Sequence, residues 1–290
     1  MTREEIFQVI KKAAQQSLDI AYQFGETKEK RAGIVNTQIK NAEKTVVKKI
    51  TADTAISTQD RLDQILYTSY QTYLAQLETR NSVWQYEYMA FSRRIGEMWE
   101  PFAKLPFLYS DEVTLESAPL YETVIRRNET EIKNYVSQFE MNEYDRGIID
   151  EKFKSVFNIL ESENTDLNMD LHFMKGSIHY VVDYKSGFNS NEKGNTNRLL
   201  RVAAIYSNWF ENYQNVLFVR QPVNNHYLEV LRASKNWQVF IADQAYEEIR
   251  RLSGFDLRHW MDVNMNWERD LNEDFVHYLK RKELFNYLNW

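Results

Sequence analysis

Cysteine is absent from the 290-residue chain, so it has no disulfide framework, no thiolate metal site and no cysteine nucleophile. That absence fits a reducing compartment. Proline and glycine are scarce, at four and eight residues, which disfavours a turn-rich all-β chain and suits long helices. No apolar run reaches the ~18 residues that would mark a bilayer-spanning helix, and Met1-Thr2-Arg3-Glu4-Glu5 lacks the apolar stretch of a signal peptide. The expected location is cytoplasmic, with no membrane partner. Phosphate-binding glycine loops, zinc-protease helices and serine-hydrolase elbows are missing as well. Positive charge is in deficit: 36 Lys and Arg stand against 42 Asp and Glu, a net charge of −6. This argues mildly against nucleic-acid binding, although a locally positive cleft is all that such binding requires. Aromatic residues, by contrast, are abundant. The 18 Tyr, 16 Phe and 7 Trp promise an ordered core in one large domain or two small ones.

The first half reads as helical. Ile6, Val9, Ile10, Ala13 and Ala14 give one amphipathic helix ending near Gly25, and Arg31 to Ile50 gives a second. Its lysines (Lys40, Lys44, Lys48, Lys49) could touch a DNA backbone, but a solvated helix face explains them as well. Ser57-x-x-Asp60 has the form of a capping box. From there a seam runs through Leu62, Leu66, Tyr70, Tyr73 and Leu77 and, after a polar break at Asn81, through Trp84, Tyr88, Phe91, Ile95, Met98 and Phe102. Steps of three and four over so many turns predict burial against other helices, with part of the seam serving a homodimer. Pro101 is expected to bend or end this helix near Trp99. Residues 103–165 read as a mostly helical, charged insertion with a loop from Tyr109 to Pro119. Its last helix has Phe153, Val156, Phe157 and Leu160 as its apolar face, and Arg126 and Arg127 could face DNA, although surface ion pairs are the default reading. The expected division is a helical region 1–90, a core 91–260 and a helical tail 261–290.

The chemistry concentrates in residues 169–187. Two runs rich in apolar and β-branched residues flank Gly176-Ser177, a pair suited to a type II′ hairpin turn. A two-residue turn fixes the register: Lys175 faces Ile178, Phe173 faces Tyr180, Leu171 faces Val182, and Asp170 faces Asp183. Lys185, two residues beyond Asp183, shares that face. Two opposed carboxylates are destabilising unless compensated, and a divalent cation beside a lysine is a natural compensator. Mg²⁺ is commonly held by one or two carboxylates together with water and substrate phosphate. Metal-assisted phosphodiester hydrolysis is the chemistry this predicts. His172 and His179 fall on the same face, where either could help at the site, though structural hydrogen bonding is the usual role. Asp166 also precedes the hairpin. At ~3.3 Å per residue it lies ~13 Å further along an extended strand, too far to share a metal with Asp183.

Met169-Asp170 and Asp183-Tyr184-Lys185 together resemble the PD-(D/E)xK nuclease superfamily, and within it the type II restriction endonucleases, with Met169 in place of the family's proline. Other acid-x-lysine triplets (Glu26-Thr27-Lys28, Glu131-Ile132-Lys133, Asp150-Glu151-Lys152) lack a strand context or an opposing acid. Arg94-Ile95-Gly96-Glu97-Met98-Trp99-Glu100 is similar to a motif on the first core helix of several such enzymes, and the resemblance makes Glu100 an auxiliary catalytic acid.

The resemblance implies an α/β (α+β) fold, with a mixed central β-sheet flanked by helices and a helical N-terminal region. The order after the hairpin agrees: a helix through Leu199, Val202, Ala203, Tyr206 and Phe210, a strand Asn215–Arg220, then Trp237–Ala242 leading into a helix Gln244–Leu252. It further implies a Mg²⁺-dependent homodimer that cuts both strands of a specific double-stranded DNA sequence. Asp170 and Asp183 would hold the metal and Lys185 would activate water. Base readout would come from the Asn-rich loop 187–198 (Asn189, Asn191, Asn195, Asn197, Arg198) and from Gln221 to Lys235 (Asn224, Asn225, His226, Arg232, Lys235). The competing expectations are another nuclease of the superfamily, of repair or structure-specific type, and a non-catalytic helical interaction protein.

Overall fold

A computed structural model of the chain describes residues 1–161, 166–189, 192–209 and 211–290, with side chains omitted at Phe153, 156–161, Asn208 and Trp209. The apolar positions expected at Phe153, Val156, Phe157, Leu160 and Phe210 therefore lie outside the described side chains. The chain forms two compact units, residues 1–113 together with 241–290, and residues 114–240. The boundaries expected at 90 and 260 fall inside helices, Tyr88–Leu108 and Leu257–Asn264.

The first unit opens with α1 (Arg3–Phe24) and α2 (Lys28–Ala52). Thr2 and Glu5 form a full capping box at the start of α1. The buried face of α1 is Ile6, Ile10, Ser17 and Ala21, with Val9 turned to solvent. On α2, Val35, Ile39, Val46 and Ile50 are buried, while Lys44, Lys48 and Lys49 are exposed. Those lysines form the solvated face of an amphipathic helix.

The seam from Ser57 is two helices, α3 (Thr58–Val83) and α4 (Tyr88–Leu108). Ser57 caps α3 by accepting a hydrogen bond from the Asp60 N–H, 3.0 Å away. Asn81 marks the break because its Oδ1 accepts from the Tyr86 N–H at 3.0 Å, and the Arg80 guanidinium donates to the Trp84 carbonyl at 2.5 Å. These side chains satisfy backbone groups that helix bonds would otherwise have taken. Pro101 does not end α4, which continues to Leu108 through both Pro101 and Pro106. The Pro101 ring sits on the exposed side, where water can serve the carbonyl it leaves without an N–H partner. Leu62, Leu66, Tyr70, Tyr73, Leu77, Phe91, Ile95, Met98 and Phe102 are buried within this one unit and give no argument for a dimer; of the other expected seam positions, Trp84 is half-buried and Tyr88 is exposed.

The second unit holds the sheet. In chain order it contains β1 (Thr114–Leu115), α5 (Tyr121–Ser137), α6 (Glu143–Glu161), β2 (Leu171–Lys175), β3 (Ile178–Lys185), α7 (Lys193–Trp209), β4 (Tyr213–Val219), α8 (His226–Ala233) and β5 (Gln238–Ile241). The strands lie in the order β1-β2-β3-β4-β5. β1, which the sequence did not announce, pairs antiparallel with β2; β2 and β3 form the hairpin; β3 and β4 run parallel. The sheet is therefore mixed and flanked by helices. Gly176 takes a positive φ of 61° and Ser177 does not, as a type II′ turn demands. Lys175 faces Ile178, Phe173 faces Tyr180 and Leu171 faces Val182. β3 is buried from Tyr180 to Tyr184, as befits a central strand covered on both faces.

The chain then returns to the first unit through α9 (Asp243–Ser253), α10 (Leu257–Asn264), α11 (Trp267–Asp270), α12 (Glu273–Arg281) and a closing 3₁₀ turn, Phe285–Leu288. Trp260, Trp267 and Trp290 meet Tyr70, Tyr73 and Phe102 in one aromatic cluster with ring centroids 5.0–6.1 Å apart. Trp99, fully buried, donates its indole N–H to the Tyr246 hydroxyl at 2.9 Å. Among the described residues no helix is long and apolar enough to cross a membrane.

Candidate active site at the carboxyl ends of the parallel strands

Asp183 and Lys185 lie near the carboxyl end of β3, beside the parallel strand β4, where open α/β sheets generally place their ligand sites. Asp183 pairs with Leu217 and Lys185 with Val219, so these side chains share one face of the sheet. α7 covers that face: Asn215, opposite Val181, donates its amide to the Ala203 carbonyl at 3.3 Å and to Ser207 Oγ at 2.9 Å. The Asp183 side chain is consequently 1% exposed.

Asp170 stands one residue before β2, at the position opposite Asp183 that the hairpin register gives it. Side chains fix the approach to it. Asp166 accepts from the Asn168 N–H at 2.8 Å in an Asx turn, and the Tyr206 hydroxyl donates to the Leu167 carbonyl at 3.0 Å. His172 Nε2 accepts from the Met169 N–H at 3.0 Å, which requires a neutral ring. Burial supplies this by pushing the His172 pKa down. Asp170 Oδ2 then accepts from the Tyr184 N–H at 2.7 Å, which ties the first acid to the strand carrying the second.

Two cations meet the Asp183 carboxylate. The Lys185 ammonium lies against Oδ2 and also donates to the Tyr184 carbonyl at 3.1 Å; the Arg198 guanidinium, from α7, reaches Oδ1 at 3.4 Å. Burial, followed by the nearby Asp170 charge, outweighs both cations and pushes Asp183 up to about 6 from 3.8. It is an anion held against its own desolvation. Such groups mark functional sites more often than ordinary surface pairs do. The donors are hard oxygens, as Mg²⁺ prefers, and two carboxylates suit an ion completed by water and phosphate. A closed cage is absent: among the described residues no three His, Asp or Glu side chains group in a way that could hold a metal.

The remaining sequence candidates fall elsewhere. Glu100, in the first unit, pairs with Lys104 at 2.7 Å, one turn along α4. Asn195, Asn197 and Arg198 lie on α7 rather than in a loop, because the helix already starts at Lys193. Asn191 is outside the described residues. Asn189 bonds to Gln221; Asn224 accepts from the Phe188 N–H at 2.8 Å; Asn225 caps α8 by accepting from the Tyr227 N–H at 3.1 Å. Arg232, on α8, pairs with Glu229 at 3.3 Å, while Lys235 is exposed with φ 58° and His226 begins α8. His179 pairs with Glu116 at 2.8 Å and stacks on Tyr213.

One residue was not singled out in the sequence. Arg220, just past β4, donates its N–H to the Lys185 carbonyl at 3.0 Å and its guanidinium to Ser186 Oγ at 2.9 Å. A basic residue closing the apolar run Val216-Leu217-Phe218-Val219 was the available signal. Gly187 completes this strap, since a side chain there would run into Gln221. Comparison with protein-family profiles, curated proteins and solved structures returned no match.

Proposed function

We propose that the sheet unit carries the active site of a cytoplasmic, Mg²⁺-dependent endonuclease of the PD-(D/E)xK type, cutting double-stranded DNA at a specific sequence as type II restriction enzymes do. The observation that carries this reading is the meeting of Asp170, buried Asp183 and Lys185 at the strand ends. Asp170 and Asp183 would hold the ion. Bound Mg²⁺ supplies a Lewis-acidic charge to the scissile phosphate and to the attacking water. Lys185 orients that water and offsets the charge that develops on the phosphate oxygens. Lys185, Arg198 and Arg220 gather local positive charge that the overall −6 conceals. A homodimer matches a two-fold DNA site and supplies one centre per strand, through a surface other than the buried seam.

One observation favours a second reading, a non-catalytic helical interaction protein: Lys185 and Arg198 already neutralise Asp183 without any metal. Incubating the full chain with long duplex DNA and Mg²⁺ separates the possibilities. Discrete fragments support the restriction reading. A smear, or a preference for branched DNA, indicates another nuclease of the superfamily. Intact DNA at high enzyme concentration supports the interaction protein.

A further inference from the structure

Arg198 differs from the other cation at Asp183. Lys185 sits on the same strand and makes a close contact with Oδ2, whereas Arg198 comes from α7 and stays at arm's length. Among the described residues its two hydrogen-bond contacts are both 3.4 Å long, one to Asp183 Oδ1 and one to the sulfur of Met169. Thioether sulfur is a weak acceptor, so neither contact holds the guanidinium firmly. Its side chain is 40% exposed while the carboxylate beneath it is 1% exposed. A loosely held cation thus closes the solvent-facing side of a buried anion.

We propose that Arg198 is a placeholder for the divalent cation: it covers Asp183 Oδ1 in the metal-free protein and leaves when the carboxylates take up a metal. This rests on the nuclease reading of the same site. An Mg²⁺–oxygen bond is ~2.1 Å long, and a guanidinium that close to a second cation is repelled. Once displaced, Arg198 remains tethered to α7 beside the reacting phosphate. Its planar fork suits two phosphate oxygens better than it suits a single carboxylate oxygen at 3.4 Å. The residue then couples two events, metal entry and phosphate capture, and it keeps an empty site from carrying bare negative charge toward DNA.

The test is metal binding without DNA, followed by DNA binding without cleavage. Free Mn²⁺ is titrated by electron paramagnetic resonance against the wild type, Arg198→Met and Asp183→Asn. Arg198→Met should bind Mn²⁺ about fivefold more tightly, the order expected on removing one half-exposed competing ion pair. Ca²⁺ is then added to each protein with duplex DNA. The gain in DNA affinity on adding Ca²⁺ should be smaller for Arg198→Met than for the wild type, since the released guanidinium is missing. If Asp183→Asn loses Mn²⁺ binding while Arg198→Met binds it no more tightly than wild type, the placeholder is overturned and the metal site stands. If Asp183→Asn binds Mn²⁺ as the wild type does, the metal site falls and the placeholder with it.

Discussion

Glu43 in the helical unit and Asp183 in the sheet unit are both buried acids, and their surroundings differ. Glu43, on α2 in the helical unit, accepts from the Ser69 hydroxyl at 2.9 Å and pairs with Lys40 at 2.5 Å, one turn away. Its partners lie on helices whose backbone groups are already bonded, so the charge is enclosed by a finished structure. Asp183 sits where two parallel strands end, with a second carboxylate one hairpin position away. Burial of an acid alone therefore does not mark a site. The neighbouring like charge and the unfinished strand ends are what make Asp183 the candidate.

The sharpest way to break that comparison is kinetic. On the proposed nuclease function, Asp183→Asn and Lys185→Ala should each lower Mg²⁺-dependent duplex cleavage by ~10³-fold or more, while Glu43→Gln stays within about twofold. Single-turnover assays on proteins with unchanged circular dichroism decide it, and wild-type rates from either site variant would end the distinction. A second cut runs along the approach to the hairpin. Asp170→Ala should remove most of the cleavage, whereas Asp166→Ala, which loses only an Asx turn, should retain most of it.

Stability offers a third test with opposite signs in the two units. The folded-state pKa of Asp183, about 6, lies above its ordinary 3.8, so burial favours the neutral form. The stability of that neutral form is fully present below pH ~4 and lost as pH rises through ~6. Asp183→Asn should therefore exceed the wild type by roughly 1–3 kcal/mol at pH 8 in urea unfolding, with the gain vanishing near pH 4. Glu43→Gln should instead cost about 1 kcal/mol at pH 8, having lost a charged hydrogen bond. The smallest effect belongs to α2. Replacing Lys44, Lys48 and Lys49 by Gln should change duplex affinity less than about twofold in a filter-binding titration, as expected of a solvated face.

The hairpin was legible because a two-residue Gly-first turn leaves no freedom of register, and parity then placed Asp170, Asp183 and Lys185 together. The start of α3 was legible where Ser57 announces a cap, whereas the Thr2 cap of α1 was not read from the sequence. The interruption between α3 and α4 was legible only as a polar break at Asn81 and not as a helix end, since that end depends on Arg80 and Asn81 reaching backbone groups four and five residues ahead. Nor was the start of α7: Asn189 to Asn197 is polar enough to read as loop, and among the described residues of that stretch only Thr196 is buried. Fully hidden was the joining of the tail to the first helices. Trp260 and Trp290 carry no local sign that Phe102 is their neighbour.

That joining has a consequence for synthesis. The sheet unit, residues 114–240, interrupts the helical unit, so a ribosome delivers the first four helices well before the tryptophans that complete their aromatic cluster. Domains tend to fold as they emerge, and here the first to emerge is the last to be finished. Until residues 241–290 arrive, Phe102 and Tyr73 lack the rings of Trp260 and Trp290 that later cover them. The nascent helical half must then wait with part of its aromatic face open, while the inserted sheet is continuous in sequence and has no later segment to wait for.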